Sequence, residues 1–355
     1  MPRVAGVDPG TVSFDLCVLE DGRPVVEEMF ESGPLAEDPA PLLEALTTHG
    51  PYELVYGPSG YGLPLVDAAD IDELALSQMV LVRPDERGSR AGIGGMRSLL
   101  RTLARSGLPV VFGPGVIHLP SVPRHRKYNR IDLGTADKVC AAACAIADHC
   151  ERLSLPPGET SLVVLELGGA FTAAIAVAGG RIVDGLGGSS GPIGFRSPGA
   201  LDGELAYLLA PALGKRTLFS GGAVDPTGTG VPDLEASWRS PADADGWAAL
   251  LEGAAKAARA LLTSAPDPRE ILISGRLAQL SGLVAALSAM LRDVAPVTAL
   301  ATGRASAAAR GGALLADGLA GGRWAPLVQA LALRDASGSV LDHLRVLGAD
   351  AIALG

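Results

Sequence analysis

The chain has 355 residues, of which 48% are hydrophobic, so it is long enough to form two domains that each bury a core. Its net charge of −10 at pH 7 argues against a general nucleic-acid-binding protein, whose phosphate contacts need a basic surface. The sequence shows neither a continuous apolar run of membrane-spanning length nor a signal peptide, which predicts a cytoplasmic protein with no membrane partner.

Residues 1–30 predict a β-meander that opens with a phosphate-binding turn. An apolar strand ends at Asp8, the small residues Gly10 and Thr11 follow, and a second apolar strand returns through 14–19. Small residues let backbone N–H groups approach an anion, and a carboxylate beside them can hold Mg²⁺ directly or through water. We therefore predict Asp8 as a metal ligand and catalytic residue, and Gly10 and Thr11 as nucleotide-binding residues. Taken alone, the segment could equally be an ordinary hairpin turn.

Strands and helices alternate from residue 53 to residue 112, which predicts an α/β sheet with helices packed on it. The strand at 53–56 leads into a glycine-rich loop, 56–62. Its residues Ser59 and Gly60 are predicted to let a substrate approach the backbone, and a plain turn is the alternative. The elements that follow are a helix near 71–80, a helix near 95–106 and a strand at 109–112.

A proline-punctuated basic stretch, 114–130, and a helix, 134–151, are predicted to bridge the two domains. The stretch contains the densest cationic patch of an acidic protein, and the alternative is a solvated charged loop. Asp137, near the start of the helix, is the best candidate for a general base or a metal-linked carboxylate, and Lys138 for charge stabilisation. Five further residues are predicted to bind a small anionic metabolite: Arg126, Lys127, Asn129, Arg130 and Asp132.

Residues 161–181 repeat the pattern of the first meander. An apolar strand delivers Glu166, the turn Gly168-Gly169 follows, and an apolar strand returns through 172–177. The repetition favours a pair of phosphate-binding turns over two unrelated hairpins. Glu166 is therefore predicted as the second Mg²⁺ ligand, and Gly168 and Gly169 as nucleotide-binding residues. Two such turns that face each other across a cleft would hold one ATP molecule.

A glycine-rich run, 185–199, contains Arg196, which we predict as a catalytic residue. A guanidinium group in such a loop can contact phosphate oxygens in a planar, bidentate way, whereas the alternative is a simple linker. The elements that follow are helices at 201–212, 247–263, 277–291 and 305–319, and strands at 270–274 and 296–300. We place the domain boundary near residue 150, which gives domains 1–150 and 151–355, and expect residues 323–355 to pack back on the first domain.

Three motifs resemble those of a known superfamily. Residues 6–11, 165–169 and 271–275 are similar to the first phosphate, second phosphate and adenosine motifs of the superfamily that contains acetate and sugar kinases, heat-shock chaperone ATPases and actin. The resemblance implies an α/β protein with two ribonuclease H-like domains, the actin-like ATPase or acetate kinase fold, that flank a nucleotide cleft, with ATP and Mg²⁺ as cofactors. It places the adenine near three residues: Ser274, Gly275 and Arg276.

Within that superfamily, the chain most resembles a family described as predicted butyrate kinases. Segments 56–62, 126–138 and 191–194 carry this resemblance. Segment 194–199 is similar to a segment of acetate and butyrate kinases whose arginine meets the transferring phosphoryl group. The resemblance implies an ATP-dependent carboxylate kinase in which Arg196 contacts that group.

Two departures favour a different function, a slow ATPase that acts as a nucleotide-driven switch on a protein partner. Asp15 stands where butyrate kinases tend to have a lysine, and segment 305–314 lacks the glutamate that they carry there. A kinase with an alcohol or sugar acceptor is a third hypothesis, with Asp202 or Asp225 as its base. The apolar C-terminal third suits a homodimer.

Overall fold

Two β-sheets form the framework of the protein. The computed structural model describes residues 2–10, 13–32, 38–57, 60–86, 93–228, 230–231 and 233–354. In these residues, a six-stranded sheet has the order β3-β2-β1-β4-β6-β5, and a five-stranded sheet has the order β11-β10-β7-β8-β9. The strands are β1 Arg3–Pro9, β2 Ser13–Glu20, β3 Arg23–Glu31, β4 Leu54–Gly57, β5 Val66–Asp67, β6 Val110–Phe112, β7 Leu162–Leu167, β8 Thr172–Ala178, β9 Arg181–Leu186, β10 Glu270–Ser274 and β11 Val297–Ala299.

Helices pack on both sheets, so the α/β class predicted from the sequence is confirmed. The helices are α1 Ala40–His49, α2 Glu73–Val80, α3 Ile93–Ala104, α4 Arg124–Lys127, α5 Ala136–Leu153, α6 Gly203–Leu209, α7 Leu234–Arg239, α8 Ala244–Leu261, α9 Ser281–Leu291, α10 Ala307–Leu319 and α11 Ala325–Ala330. Short 3₁₀ turns lie between them. Among the described residues, no helix is both long enough and apolar enough to cross a membrane.

The two sheets repeat one arrangement, as the sequence pattern predicts. In the first sheet, β1, β2 and β3 form an antiparallel meander, and β4 adds to β1 in parallel. In the second, β7, β8 and β9 form the meander, and β10 adds to β7 in parallel. The carboxyl end of the opening strand therefore lies beside a parallel neighbour in both sheets, and both turns of interest follow these strand ends.

Helices α5 and α10 connect the two sheets. α5 packs on β7 and β8, whereas α10, which follows the second sheet in the chain, packs on β1, β2 and β4 of the first sheet and on α5. Two glycines permit these contacts: a Cβ atom added to Gly6 would lie 2.2 Å from the Ala309 carbonyl oxygen, and one added to Gly311 would lie 1.8 Å from that of Cys140. Backbone therefore packs directly on backbone where strand and helices meet.

Some elements differ from the sequence predictions. The helix predicted at 277–291 begins at 281, because a 3₁₀ turn at 276–279 precedes it. Helices α1 and α7 are not predicted by the sequence analysis, since neither has a long apolar stripe. The domain boundary near residue 150 stays a prediction. In the final segment, the Trp324 indole N–H donates to the Gly22 carbonyl oxygen at 3.1 Å, in the turn between β2 and β3.

Candidate active site

A buried ammonium group lies between two carboxylates at the centre of the site. Lys138 Nζ is 2.5 Å from Asp137 Oδ2 and 2.8 Å from Glu166 Oε2, and its side chain is 12% exposed. Burial would lower the pKa of Lys138, but the charges of Asp137 and Glu166 outweigh that effect and raise it. Likewise, burial would raise the pKa of Asp137, and the charge and hydrogen bonds of Lys138 lower it instead. Lys138 and Asp137 are therefore both charged at neutral pH.

The first turn of α5 positions two of these groups. Thr135 occupies the N-cap position, but its hydroxyl group makes no capping bond and donates instead to Asp137 Oδ1. Glu166 reaches Lys138 from the second sheet, because it lies near the end of β7. The ion-pair cluster thus joins the helix to the second sheet.

Asp8, near the end of β1, approaches the same cluster from the first sheet. Its Oδ2 accepts a hydrogen bond of 2.7 Å from Ser306 Oγ, and Ser306 also caps α10 by accepting from the Ala309 N–H at 3.1 Å. Burial and then the charge of Asp137 raise the pKa of Asp8 to about 7, and Asp15 adds to the shift. The starts of two long helices and the ends of two strands therefore meet here, around three carboxyl groups and one ammonium group.

The second predicted phosphate turn closely follows Glu166. The Gly168 N–H donates to the Phe171 carbonyl oxygen at 2.9 Å, whereas the N–H of Gly169 donates to no acceptor in the described part of the chain. A Cβ atom added to Gly168 would lie 3.3 Å from Glu166 Oε1. The turn thus keeps a backbone donor available for a phosphate oxygen, beside a carboxylate.

The predicted adenosine motif also adjoins Glu166. Ser274 pairs with Glu166 across the parallel strands β10 and β7, and its buried hydroxyl group has no hydrogen-bond partner among the described residues. Gly275 has a φ of 88°, and a Cβ atom added there would lie 2.7 Å from Glu166 Oε1. Arg276 begins the following 3₁₀ turn. The motif therefore presents an unused polar group and a close backbone approach.

Arg196 lies in a loop that is attached to the second phosphate turn. The backbone N–H groups of Arg196 and Ser197 donate to the Ala170 carbonyl oxygen at 3.0 and 3.1 Å. The Arg196 guanidinium group pairs with the buried Asp225, with Nε 2.9 Å from Oδ2. Asp225 also accepts from the N–H groups of Gly228 and Gly230. The contacts with Ala170 and Asp225 thus hold Arg196 close to the second phosphate turn.

The first phosphate turn is described in part. The Gly10 N–H donates to the Asp8 carbonyl oxygen at 3.0 Å, and the Gly10 carbonyl oxygen accepts from Ser32 Oγ at 2.8 Å. Thr11 lies outside the described residues, as does Ser59 in the second glycine-rich loop. Gly60, with a φ of 62°, accepts a hydrogen bond from the Ala136 N–H at 2.9 Å, which places that loop against the start of α5.

The basic stretch makes structural contacts. Arg126 Nη1 donates to the Val183 carbonyl oxygen at 2.7 Å, and Lys127 Nζ donates to that of Leu119 at 3.1 Å. Burial lowers the pKa of Lys127. Asn129 Oδ1 accepts from the Arg345 N–H at 2.7 Å, and Arg130 is exposed. These contacts do not bring the four residues to the Lys138 cluster, so their binding role stays a prediction.

Asp132 connects the bridge to the glycine-rich run. Its Oδ2 accepts from both the N–H and the hydroxyl group of Ser189 at 2.9 Å, and its Oδ1 accepts from the Gly134 N–H at 3.0 Å. The side chain is buried and fully engaged, which suits a residue that positions the loop. Its predicted contact with substrate is untested.

Two contacts of this region are not predicted by the sequence analysis. One is the bond of Ser306 to Asp8. The other is made by Lys215, whose Nζ donates to Tyr61 Oη at 3.3 Å and to the Leu81 carbonyl oxygen at 3.2 Å. Burial lowers the pKa of Lys215 to about 8. Lys215 thus connects the second half of the chain to the glycine-rich loop that contains Gly60.

Two sheets with repeated meanders, joined by two helices and a carboxylate–ammonium cluster, define a two-domain fold of the ribonuclease H-like, acetate kinase class. By sequence, the chain belongs to the family described as "Protein of unknown function (DUF1464)", which matches residues 6–346. No curated protein matches the sequence.

Solved structures of kinases share this fold. A propionate kinase from Francisella tularensis subsp. tularensis SCHU S4 is similar with a TM-score of 0.60 at 12% identity, over 88% of this chain and 99% of that one. An acetate kinase from Porphyromonas gingivalis gives 0.57 at 12% identity, over 88% and 98%. One from Entamoeba histolytica gives 0.55 at 12% identity, over 82% and 86%. These likenesses confirm the predicted fold class, while the resemblance to butyrate kinases stays a prediction.

Replacing the central ammonium tests how much the cluster contributes to stability. Lys138→Ala leaves Asp137 and Glu166 without a counter-charge, and we expect it to lower the free energy of unfolding by roughly 3 kcal/mol. Urea unfolding measures the change. The matched control is Lys256→Ala, which removes an exposed helical pair with Glu252 and should leave the midpoint unchanged. Equal effects of the two substitutions would contradict a stabilising role for the cluster.

The raised pKa of Asp8 predicts a pH dependence of stability in the metal-free protein. The folded protein binds a proton at Asp8 below pH about 7, whereas the unfolded chain does so only below about 3.8. Because the folded state binds more protons between these values, Asp8 contributes stability at low pH that is lost as the pH rises to about 7. Asp8→Asn should remove this decline, as measured by urea unfolding from pH 4 to pH 8. Parallel curves for the two proteins would refute it.

Proposed function

We propose that the protein is a Mg²⁺- and ATP-dependent phosphotransferase that phosphorylates a small carboxylate. The observation that carries the proposal is the meeting of Asp8, Lys138 and Glu166 between the ends of two repeated strands. Phosphoryl transfer requires mainly positioning and charge neutralisation, and this site offers both. The proposal agrees with the names of two similar structures, an acetate kinase and a propionate kinase.

ATP would lie between the two turns, with its triphosphate near Gly10 and Gly169 and its adenosine near Ser274. Three features support this placement: the N–H of Gly169 and the hydroxyl group of Ser274, neither of which has a partner among the described residues, and the positive φ of Gly275. Each is a polar group or a close backbone approach that a ligand would use. Arg276 follows directly and can reach the same ligand.

Asp8 and Glu166 are the residues that would hold Mg²⁺. Carboxylate oxygens suit this ion, and Asp8 has one oxygen, Oδ1, beyond its bond to Ser306. When bound, Mg²⁺ would neutralise charge on the phosphate oxygens. Asp8 must lose its proton to bind the metal, so its pKa of about 7 couples metal binding to pH. Lys138 keeps Glu166 in place through the 2.8 Å contact.

Arg196 would contact the transferring phosphoryl group. Its loop is bound to Ala170, next to the second turn, and its Nη2 atom lies 3.3 Å from where a Cβ atom of Gly230 would be. Asp225 pairs with Nε. Within the described part of the chain, the outer nitrogens therefore remain for a planar contact with phosphate oxygens.

The proposal of a carboxylate acceptor rather than an alcohol rests on the contacts of the aspartates that could act as a general base. An alcohol must lose a proton to a free carboxylate oxygen, whereas a carboxylate acceptor is already ionised. Asp137 uses both oxygens, on Thr135 and Lys138. Asp225 likewise binds Arg196 and neighbouring N–H groups, and Asp202 caps α6. Among the described residues, these contacts engage both oxygens of Asp137 and of Asp225, whereas the exposed Asp202 uses Oδ1 alone as the cap of α6.

The cation beside the predicted substrate loop supports an anionic acceptor. Lys215 adjoins Tyr61, in the loop whose Gly60 packs against the start of α5. With a pKa of about 8 it is mostly protonated at pH 7. A small carboxylate between this loop and the second phosphate turn would therefore find a positive charge on one side.

The proposal is tested with purified protein, Mg²⁺ATP and a panel of acetate, propionate and butyrate, with hydroxylamine present to trap acyl phosphate. We expect carboxylate-dependent ADP release and a matching yield of hydroxamate. ADP release that is slow and indifferent to every acceptor would contradict the proposal and favour the ATPase switch. ADP release that responds only to sugars or alcohols would favour the third hypothesis.

Arg196→Ala should lower turnover by roughly 10²-fold or more while nucleotide affinity changes little, because the group acts on the transferring phosphoryl. Arg196→Lys keeps the charge but not the planar contact, and should recover only part of the activity. Steady-state kinetics and calorimetric titration of ADP measure the two effects. The control is Arg216→Ala, which removes an exposed arginine from the same region. Unchanged turnover in Arg196→Ala would remove this residue from the mechanism.

A further inference from the structure

A cavity lies between the same two helices that contribute to the candidate active site. The later turns of α5, the middle of α10 and the turn between β2 and β3 enclose a volume of about 390 Å³. Small-molecule sites commonly have volumes of about 300–1,000 Å³. Its charged and aromatic lining residues are Arg23, Arg310, Arg323, Asp148, Glu151 and Trp324.

This cavity is separate from the Lys138 cluster. Lys138 lies in the first turn of α5, whereas Asp148 and Glu151 lie near the opposite end of that helix. Ten residues of helix between Lys138 and Asp148 correspond to about 15 Å at 1.5 Å per residue. Along α10 the separation is smaller, since Arg310 follows Ser306 by four residues, or about 6 Å, but the residues that line the cavity are not those of the proposed phosphoryl-transfer site.

The cavity has more positive charge than its own residues neutralise. Glu151 Oε1 pairs with Arg323 at 2.8 Å, and Asp148 pairs with Arg152, outside the cavity, at 2.7 Å. Arg23 and Arg310 make neither a salt bridge nor a side-chain hydrogen bond with any described residue. Two guanidinium groups at one cavity thus have no partner among the residues that the structure describes.

Of the two, Arg310 is the stronger indication of an anion site, because it is partly buried. It projects from α10, and its charge acts on the buried thiol of Cys144, whose pKa burial raises to about 12. Among the described residues, no carboxylate pairs with this guanidinium group, so an anionic ligand could do so.

One wall of the cavity is apolar. Trp324 is 6% exposed, and its indole N–H is already used by the Gly22 carbonyl oxygen. Ala147 and Leu314 also line the cavity. The Arg323 guanidinium carbon lies 5.2 Å from the centroid of the Trp324 ring, so the small exposed part of the ring is what a ligand could pack against.

We propose that this cavity is a binding site for a small organic anion, with a carboxylate or phosphate group on Arg310 and Arg23 and a compact apolar body against Trp324. Arginine presents its N–H groups in a planar fork that matches either acid. The site is independent of the proposed kinase reaction. It lies on the two helices whose first turns carry Lys138 and Ser306.

The experiment is calorimetric titration of the full-length protein with phenyl phosphate and with phenylacetate, which distinguish the two acids, and with neutral benzyl alcohol. We expect at least one anion to bind saturably and the alcohol not to bind. Arg310→Gln should weaken the binding by about tenfold or more, the loss of a charged hydrogen bond. Arg196→Ala, in the proposed active site, should leave it unchanged.

Two further variants keep the result interpretable should Arg310→Gln not fold. Arg23→Gln removes the exposed guanidinium, and Ala301→Trp fills the cavity from an exposed position without changing charge. Both should weaken binding while thermal unfolding stays that of the parent protein. No saturable binding of either anion would overturn the proposal. So would binding that Arg196→Ala abolishes and the three cavity variants leave intact.

Discussion

The ion pairs of Lys138 connect the parts of the molecule on which the site depends. Its ammonium group lies 2.5 Å from Asp137 on its own helix and 2.8 Å from Glu166 on the second sheet. Two charged carboxylates could not lie this close in a largely buried place without a cation between them. The cluster fixes the start of α5 against the end of β7, and the neighbouring phosphate turn and adenosine strand take their positions from the same strand.

The close packing of α10 on the first sheet brings Asp8 into the candidate active site. Gly6 and Gly311 let the helix backbone approach β1 and α5 more closely than any side chain would allow. That approach delivers Ser306 to Asp8, and it places Asp8 near Asp137. The same packing leaves the cavity around Arg310 between α10 and the later turns of α5, one turn of α10 beyond Ser306.

The sequence predicts those features that are encoded in short local patterns. The repeated meander, the carboxylates of Asp8 and Glu166 and the first turn of α5 are all visible as runs of a few residues. The bond between Ser306 and Asp8 joins residues 298 positions apart, and no local pattern indicates it. In the basic stretch, composition predicts an anion site, and this stays a prediction. The contacts of Arg126 and Lys127 with backbone carbonyl groups could not be predicted from composition.

The most direct measurement is a crystal structure of the protein with Mg²⁺ and ADP. The account predicts the diphosphate at the turns of Gly10 and Gly169, adenosine beside Ser274 and Gly275, and the metal held by Asp8 and Glu166 directly or through water. Lys138 would keep its contact with Glu166. A nucleotide bound away from both turns, or a metal that contacts neither carboxylate even through water, would contradict it.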